Sequence, residues 1–420
     1  MTTHTGSEYR LLPLPLKGSS TPRRALLPGR FQILPPPREE ELLDGGDMVP
    51  VVGDLVAFQP VDELALIQSV LPRRSLLRRK AAGSFDSQGL AANVDLVLIV
   101  NSMDRPLSEG GLLRYLAICG EVAAHIVFTG ADLIEKGSLT KEGRSDGRDS
   151  PDNSDSISDS IENILNRARA LVGAEKTHLI SSITGQGVDG IASALRALAV
   201  DIARTGRQDR EHSGSDKDAA EGHEHSGKER RGPDIALCCL LGPSGAGKST
   251  LINALMAGLG SGHSSADSDS KIMQQTGAIS EATGKGKHTT VRREWIYHPD
   301  GYAIIDSPGL REVGLDHFDD SAGPFAAIKI LAENCAFRDC SHGTEPGCAV
   351  RAAVEAGEIA ESLLQQYRTL SEEAAVVQNF RRKRKKEGGD DAKLALRKKK
   401  DDWIKQIHSD YKKRPNKRDV

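Results

Sequence analysis

The chain contains the stretch Gly242-Pro243-Ser244-Gly245-Ala246-Gly247-Lys248-Ser249-Thr250. It fits the pattern G-x-x-x-x-G-K-[ST], in which a glycine-rich turn encloses a phosphate group. An apolar run from Ile235 to Leu241 precedes the stretch, and a helical pattern from Leu251 to Met256 follows it. A phosphate-binding loop needs that order of strand, loop and helix, whereas an ordinary glycine-rich turn does not. The sequence therefore predicts a P-loop.

Each part of the predicted loop has a chemical role. The glycines let backbone N–H groups turn inward around a β-phosphate. Lys248 is expected to neutralise β- and γ-phosphate oxygens, and the Ser249 hydroxyl is expected to ligate Mg²⁺. ATP and GTP carry the same phosphates, so the loop alone does not select the base.

A second motif, Asp306-Ser-Pro-Gly309, lies downstream and follows the strand-like run Tyr302 to Ile305. A carboxylate at the end of a strand can hold Mg²⁺ through water, and a glycine N–H can contact a γ-phosphate. We therefore expect Asp306 to serve the metal ion and Gly309 to serve the phosphate.

An aspartate in the sequence indicates which nucleotide base the site would bind. An aspartate can accept hydrogen bonds from guanine N1 and the exocyclic amine, and adenine offers neither donor there. The residues Thr129-Gly130-Ala131-Asp132 follow a strand-like run and resemble the guanine pattern N/T-K-x-D. Ser181 and Ser182 follow another strand-like run and are expected to contact the guanine oxygen through their backbone. Both features precede the P-loop, although such motifs ordinarily follow it, so the motif order is circularly permuted.

A cysteine cluster predicts a metal centre. Three thiolates and one imidazole form a closed tetrahedral set, which is typical of structural zinc and leaves no position for catalysis. The alternative is a group of free buried thiols. The cluster consists of Cys335, Cys340, His342 and Cys348. Cys119, Cys238 and Cys239 lie in apolar runs and are predicted to be core residues.

The charge is unevenly distributed. The formal net charge is -3 over 420 residues, yet Gln378 to Val420 contains 17 Lys and Arg against 7 Asp and Glu. Basic ends of this kind commonly bind phosphate. No apolar run approaches the roughly 20 residues of a membrane span, and Met1 to Arg24 shows no signal-peptide core. We expect a cytoplasmic monomer without a membrane partner.

The composition pattern divides the chain into five parts. Val-rich strand signals at Val49–Phe58 and Leu64–Val70 favour a small β-barrel, and the later alternation of strands and helices favours an α/β domain. The parts are a Pro-rich, partly disordered segment 1–37, a barrel 38–82, a permuted GTPase domain 83–315 with low-complexity insertions near 137–160, 206–232 and 258–270, a helical zinc-binding domain 316–375, and a basic tail 376–420.

Further short motifs lie along the chain, in addition to the P-loop and the cysteine cluster. They are Gly53-Asp54, Leu71-Pro-Arg-Arg-Ser75, Leu90-Ala-Ala-Asn-Val-Asp95, Thr276-Gly-Ala-Ile-Ser280, His288-Thr-Thr290 and Leu310 after Gly309. With the P-loop and the cysteine cluster, they resemble the circularly permuted small-ribosomal-subunit biogenesis GTPases from about Val51 to Tyr367. The resemblance implies an N-terminal OB-fold, a permuted GTPase domain and a C-terminal zinc domain. It also implies binding to rRNA on the 30S subunit in late assembly, with GTP hydrolysis driving release.

The resemblance also nominates a catalytic residue. Ras-like enzymes orient the attacking water with a Gln at the position of Leu310, which Leu cannot do. The family places a histidine in the first switch, here His288, which would orient or deprotonate water. The alternative is that His288 contacts only RNA or solvent. Thr289 or Thr290 would ligate Mg²⁺, and we favour Thr290.

One position departs from the family. Gly130 stands where the family usually has Lys, and the loss of that side chain should weaken GTP binding. Two other functions therefore remain open, namely a non-hydrolysing GTP-binding module on the 30S subunit and a generic P-loop ATPase. The basic clusters Arg381–Lys386 and Arg397–Lys400 are candidate phosphate contacts for rRNA, or else solvated helix faces.

Overall fold

A computed structural model of the chain describes residues 3–5, 8–12, 23–27, 32–33, 49–61, 64–80, 87–135, 154–213, 235–257, 293–306, 314–315 and 317–387. Short strands come first. They are β1 (Thr3–Thr5), β2 (Glu8–Leu11), β3 (Arg23–Leu26), β4 (Gln32–Ile33), β5 (Val56–Val61), β6 (Leu64–Val70), β7 (Leu76–Lys80) and β8 (Ser87–Ala92).

These strands form an N-terminal β module. β2 pairs antiparallel with β1 and with β3. β6 pairs parallel with β3 and β4, and antiparallel with β5. β7 and β8 form a separate antiparallel pair. The module therefore takes strands from both sides of the predicted boundary between residues 37 and 38. Tyr9 and Ala25 from the first side and Ile67 from the second are buried in one cluster. The described pairings do not close a barrel, so the OB-fold stays a prediction.

The central elements alternate as the apolar runs predict. In chain order they are β9 (Leu96–Ser102), α1 (Glu109–Cys119), β10 (Ala123–Thr129), α2 (Ala131–Glu135), α3 (Ser154–Val172), β11 (Thr177–Ile180), α4 (Val188–Ser213), β12 (Ala236–Leu241), α5 (Lys248–Ala257), β13 (Arg293–His298) and β14 (Tyr302–Asp306). Their strands lie in the order β11-β10-β9-β12-β14-β13. The first five are parallel to one another, and β13 is antiparallel to β14.

Helices cover both faces of this sheet. Ile99 and Phe128 belong to a buried cluster that includes α1 and α3, whereas Leu98 and Val100 belong to a cluster that includes α4 and α5. Because both faces are buried, the strands are almost continuously apolar instead of alternating. The carboxyl ends of the five parallel strands meet at one edge, which is where ligands bind in such sheets.

The C-terminal part is helical, with α6 (Ala326–Ala332), α7 (Ala349–Glu355) and α8 (Glu361–Glu387). The segment from Ala349 to Ser371 contributes to two helices, because the chain turns at Gly357, which has a φ of +78°. α8 continues past the predicted boundary at 375/376, so the basic tail begins on a helix. Within the described ranges, no helix is both long and apolar enough to span a membrane.

Candidate nucleotide site and metal centre

The P-loop connects β12 to α5 and fits tightly against the neighbouring strand. Gly242 follows β12, and a Cβ atom there would lie 2.1 Å from the carbonyl oxygen of Val100 on β9. Only glycine allows that approach. Gly247 has a φ of +88°, the left-handed region that glycine favours. The glycine spacing of the motif is therefore required by the packing of the loop as well as by phosphate chemistry.

Lys248 lies inside the loop. Its residue is 7% exposed, and its Nζ donates hydrogen bonds to the carbonyl oxygens of Gly242 at 2.9 Å and Pro243 at 2.8 Å. Burial lowers the pKa of Lys248, and the nearby Asp306 carboxylate partly opposes that shift. A buried ammonium needs acceptors, and phosphate oxygens entering the loop would supply stronger, charged ones.

Metal-binding candidates surround the same loop. Ser249 and Thr250 lie on the exposed first turn of α5, where backbone N–H groups and the helix dipole favour an anion. Asp306 ends β14, which pairs directly with β12. Hydroxyl and carboxylate oxygens of this kind suit Mg²⁺ bound with a nucleotide phosphate.

The residues predicted to recognise the base lie two and three strands away from β12, at the ends of β10 and β11. The Ser181 Oγ donates a hydrogen bond of 2.6 Å to Asp132 Oδ1. The two residues are 0% and 4% exposed. The Ser181 Oγ also accepts from the backbone N–H groups of Ile183 at 3.3 Å and Thr184 at 3.2 Å. One hydroxyl thus orients the carboxylate and shapes the turn after β11.

The turn from Thr129 to Asp132 and the P-loop are connected by a direct hydrogen bond. The Thr129 Oγ1 donates a buried hydrogen bond of 2.9 Å to the carbonyl oxygen of Ala246. A Cβ atom on Gly247 would lie 3.2 Å from that hydroxyl oxygen. Thr129 therefore sets the distance between the groups that would hold the base and the phosphates.

Gly130 has a specific conformation. Its φ is +94°, and a Cβ atom there would lie 3.2 Å from Leu133 Cδ1. A lysine at this position would meet both backbone strain and a close contact. The glycine that departs from the family pattern therefore fits the loop as it is built here.

The structure brings Thr129, Asp132, Ser181, the P-loop and Asp306 to one edge of the sheet. Ser182 adjoins them, and its buried Oγ has no hydrogen-bond partner among the described residues. His288, Thr290 and Gly309 lie outside the described residues, as do the insertions near 206–232 and 258–270 except for the end of α4. Their predicted roles remain predictions.

The cysteine cluster assembles as a compact set. The four ligand atoms of Cys335, Cys340, His342 and Cys348 lie within 4.8 Å of one another. The Cys335 and Cys348 sulfurs are 3.9 Å apart, and the His342 Nδ1 lies 3.6 Å and 3.5 Å from them. Tetrahedral zinc with ordinary bond lengths would require about 3.8 Å between sulfurs and about 3.6 Å from sulfur to nitrogen. The donor set and its spacing therefore fit one structural zinc ion.

A junction that the sequence did not reveal joins the β module to the sheet. Asp54 is fully buried and forms two hydrogen bonds of 2.7 Å with Arg73. Arg74 binds Asp95 at 2.7 Å, and Asp95 accepts from the N–H of Leu237 on β12 at 2.9 Å. In the sequence, these two arginines are part of the motif Leu71-Pro-Arg-Arg-Ser75. Only the tertiary contacts show that they are paired within the protein.

A P-loop between β12 and α5, with the carboxylate of Asp306 at the end of the neighbouring parallel strand β14, defines a P-loop nucleotide-binding domain. The sequence model of the RsgA GTPase family matches residues 70–150 and 216–316. The small ribosomal subunit biogenesis GTPase RsgA 1 of Oceanobacillus iheyensis is 32% identical over 336 residues, which cover 78% of this chain and 75% of that protein. The chain belongs to the RsgA GTPase family.

Other relatives cover a similar extent. The small ribosomal subunit biogenesis GTPase RsgA of Leptospira interrogans is 29% identical over 343 residues, or 80% of this chain and 75% of that protein. A solved structure described as YloQ, a circularly permuted GTPase, is 18% identical, with a TM-score of 0.48 and coverage of 89% of this chain and 93% of that chain.

Proposed function

We propose that this protein binds and hydrolyses GTP with Mg²⁺ during biogenesis of the small ribosomal subunit. The observation that carries the proposal is the buried Asp132, which Ser181 orients at 2.6 Å at the same sheet edge as the P-loop. That arrangement provides an acceptor for guanine at one end and donors for phosphates at the other. Family membership supplies the expected process, because curated relatives are named for small ribosomal subunit biogenesis.

The nucleotide would be held from several strand ends. The turn from Thr129 to Asp132 and the backbone of Ser181 and Ser182 would hold the base, and residues 242–250 would hold the phosphates. Ser249 and Asp306 would bind Mg²⁺, with Thr290 as the ligand from the first switch. Gly309 would contact the γ-phosphate, and His288 would orient the attacking water.

The C-terminal module would serve as a structural support. Cys335, Cys340, His342 and Cys348 would hold one zinc ion in a closed set. This ion would fix the loop that precedes α7 and position α8, whose far end begins the basic cluster at Arg381. Such clusters contact nucleic-acid phosphates without reading sequence.

We further propose that the protein is a cytoplasmic monomer that contacts rRNA on the 30S subunit. GTP hydrolysis would drive its release late in maturation. An OB-fold in the β module would supply a second RNA-binding surface.

The test is turnover of GTP and of ATP by the purified protein, with and without 30S subunits, beside a His288→Ala variant. We expect GTP turnover that increases with subunits and falls in the variant. GTP binding without turnover under any condition would favour the non-hydrolysing alternative. Equal use of ATP and GTP, without stimulation by subunits, would contradict both the ribosomal role and the proposed base selection.

A further inference from the structure

The backbone that leads out of β14 is fixed at Gly314 and Leu315, the first described residues after Asp306. The carbonyl oxygen of Gly314 accepts a hydrogen bond of 2.9 Å from the N–H of Lys80 on β7. A Cβ atom on Gly314 would lie 3.0 Å from the Lys80 Cε. Leu315 is fully buried. This pair of residues is therefore held firmly by the N-terminal β module.

The same backbone is held from the other side by the C-terminal helix. The Leu315 N–H donates a hydrogen bond of 3.1 Å to Glu373 Oε1 on α8. The other carboxylate oxygen of Glu373 accepts from Arg114 Nη1 on α1 at 2.5 Å. The Glu373 and Arg114 side chains are 25% and 28% exposed. One carboxylate thus joins α1, α8 and the chain that follows β14.

The position of Glu373 is well defined by its helix. Leu370, Ala374 and Val377 lie on the buried face of α8 and are 0%, 5% and 1% exposed. A carboxylate on a packed helix, with a guanidinium on one oxygen and an amide on the other, has little freedom to move. Charge-assisted hydrogen bonds are also stronger than neutral ones.

We propose that Glu373 is a positioning residue for GTP hydrolysis. It fixes the far end of the chain that begins at Asp306, and so couples the nucleotide site to the C-terminal helix. The inference rests on the proposed GTPase function. Coupling between two sites is reciprocal, so if Glu373 affects the nucleotide site, bound nucleotide also affects the contact between Glu373 and Leu315.

The test compares two neighbouring glutamates. Glu373→Gln removes the charge that binds Arg114 and Leu315, whereas Glu372→Gln makes the same change at an exposed position on the same helix. Turnover is expressed per nucleotide-binding site, counted by the stoichiometry of a bound fluorescent GDP, so that loss of folded protein does not count as loss of activity. We expect kcat to fall about 3- to 30-fold in Glu373→Gln, with KM for GTP and kcat of Glu372→Gln nearly unchanged.

Arg114→Gln provides a second variant if Glu373→Gln folds poorly. It removes the ion pair but leaves the charged carboxylate of Glu373 as the acceptor for the Leu315 N–H, whereas Glu373→Gln offers only a neutral amide oxygen. We expect a smaller fall in kcat than in Glu373→Gln. If kcat in both Glu373→Gln and Arg114→Gln is the same as in the control Glu372→Gln, the inference is overturned.

Hydrogen exchange of the Leu315 amide separates this inference from the proposed function. In the wild-type full chain, we expect its protection to differ between GDP and a non-hydrolysable GTP analogue. The difference should be lost in Glu373→Gln and retained in Glu372→Gln. A wild-type protein that shows the exchange difference but no turnover would contradict the GTPase function, and with it the role of Glu373 in hydrolysis, but would support the coupling between nucleotide and Leu315. Turnover with an amide that exchanges identically in both nucleotide states would contradict the coupling.

Discussion

The Ser181 hydroxyl donates a hydrogen bond of 2.6 Å to the Asp132 carboxylate across 49 positions of sequence. Ser181 ends up beside Asp132 because β11 pairs in parallel with β10. A buried carboxylate in a fixed orientation can distinguish guanine from adenine by hydrogen bonding. In the proposed site, the hydrogen bond between these two residues would be the basis of base selection.

Asp132→Asn should change which nucleotide is bound. The amide replaces one acceptor with a donor, which opposes the guanine amine but suits the carbonyl oxygen of xanthine at that position. We expect GTP affinity to fall by about 100-fold or more and XTP affinity to rise. Competition against a fluorescent nucleotide measures both. Asp201→Asn, at an exposed position on α4, is the control, and unchanged GTP preference in Asp132→Asn would exclude Asp132 from base recognition.

Ser181→Ala should weaken GTP binding more than Ser182→Ala. The first variant removes the donor to Asp132, whereas the Ser182 hydroxyl has no partner among the described residues. Removing one donor from a buried carboxylate costs about 1–3 kcal/mol, so we expect the Kd for GTP to rise about 5- to 150-fold. Titration calorimetry with both variants makes the comparison. Equal effects of the two substitutions would show that the Ser181–Asp132 bond does not organise the site.

Thr129→Val tests the connection between the two loops. Valine keeps the shape but removes the donor to the Ala246 carbonyl, which lies at 2.9 Å. Loss of one buried hydrogen bond costs about 1 kcal/mol or more, so the affinities for GTP and GDP should fall together by roughly 5- to 10-fold. Thr184→Val, on the exposed turn after β11, provides the control. A loss for GTP alone would place the role of Thr129 at the γ-phosphate instead.

Removal of zinc should destabilise the C-terminal module. The purified protein should contain one zinc ion per chain by elemental analysis, and Cys348→Ser should lose it. Because binding of a structural metal ion contributes directly to folding, the variant and the chelated wild type should both melt at lower temperature. Cys119→Ala alters a cysteine in the apolar core and should retain zinc. A wild-type protein that is free of zinc yet equally stable would contradict the metal assignment.

The stability should fall below neutral pH through a histidine pair. His125 Nδ1 lies 3.0 Å from His178 Nε2. Burial, followed by repulsion from His178, lowers the pKa of His125 from 6.5 to about 4. The unfolded chain therefore binds more protons than the native state between these values, so stability is lost as the pH falls through that window.

Melting temperatures from pH 7 to pH 5 measure this effect. His125→Phe keeps an aromatic ring but cannot be protonated, and its melting temperature should depend less on pH than that of the wild type. His317→Phe makes the same change at an exposed position and should keep the wild-type dependence. If His125→Phe shows the wild-type slope, other groups cause the loss of stability.

The local motifs were sufficient to predict the elements that flank the P-loop and the residues of the cysteine cluster. The P-loop spacing required a strand before it and a helix after it, and β12 and α5 occupy those positions. The cysteine cluster could be predicted because its four residues are close in sequence. These predictions succeeded because each depends on the geometry of a few consecutive residues, which covalent spacing alone constrains.

Other features depend on residues that are distant in sequence. The sequence placed Asp132 and Ser181 in separate motifs, but strand pairing decides that one orients the other. Arg73 belongs to a short sequence motif, but only its hydrogen bonds with the buried Asp54 show that it is part of a structural junction. Gly130 departs from the family pattern, and its φ of +94° shows that the local turn has a conformation that glycine favours. Composition and spacing determine which chemical groups a chain contains. The folded sheet decides which of these groups lie in contact, because strand pairing brings together residues that are distant in sequence. The residues in contact with a charged side chain then decide whether it is paired within the protein.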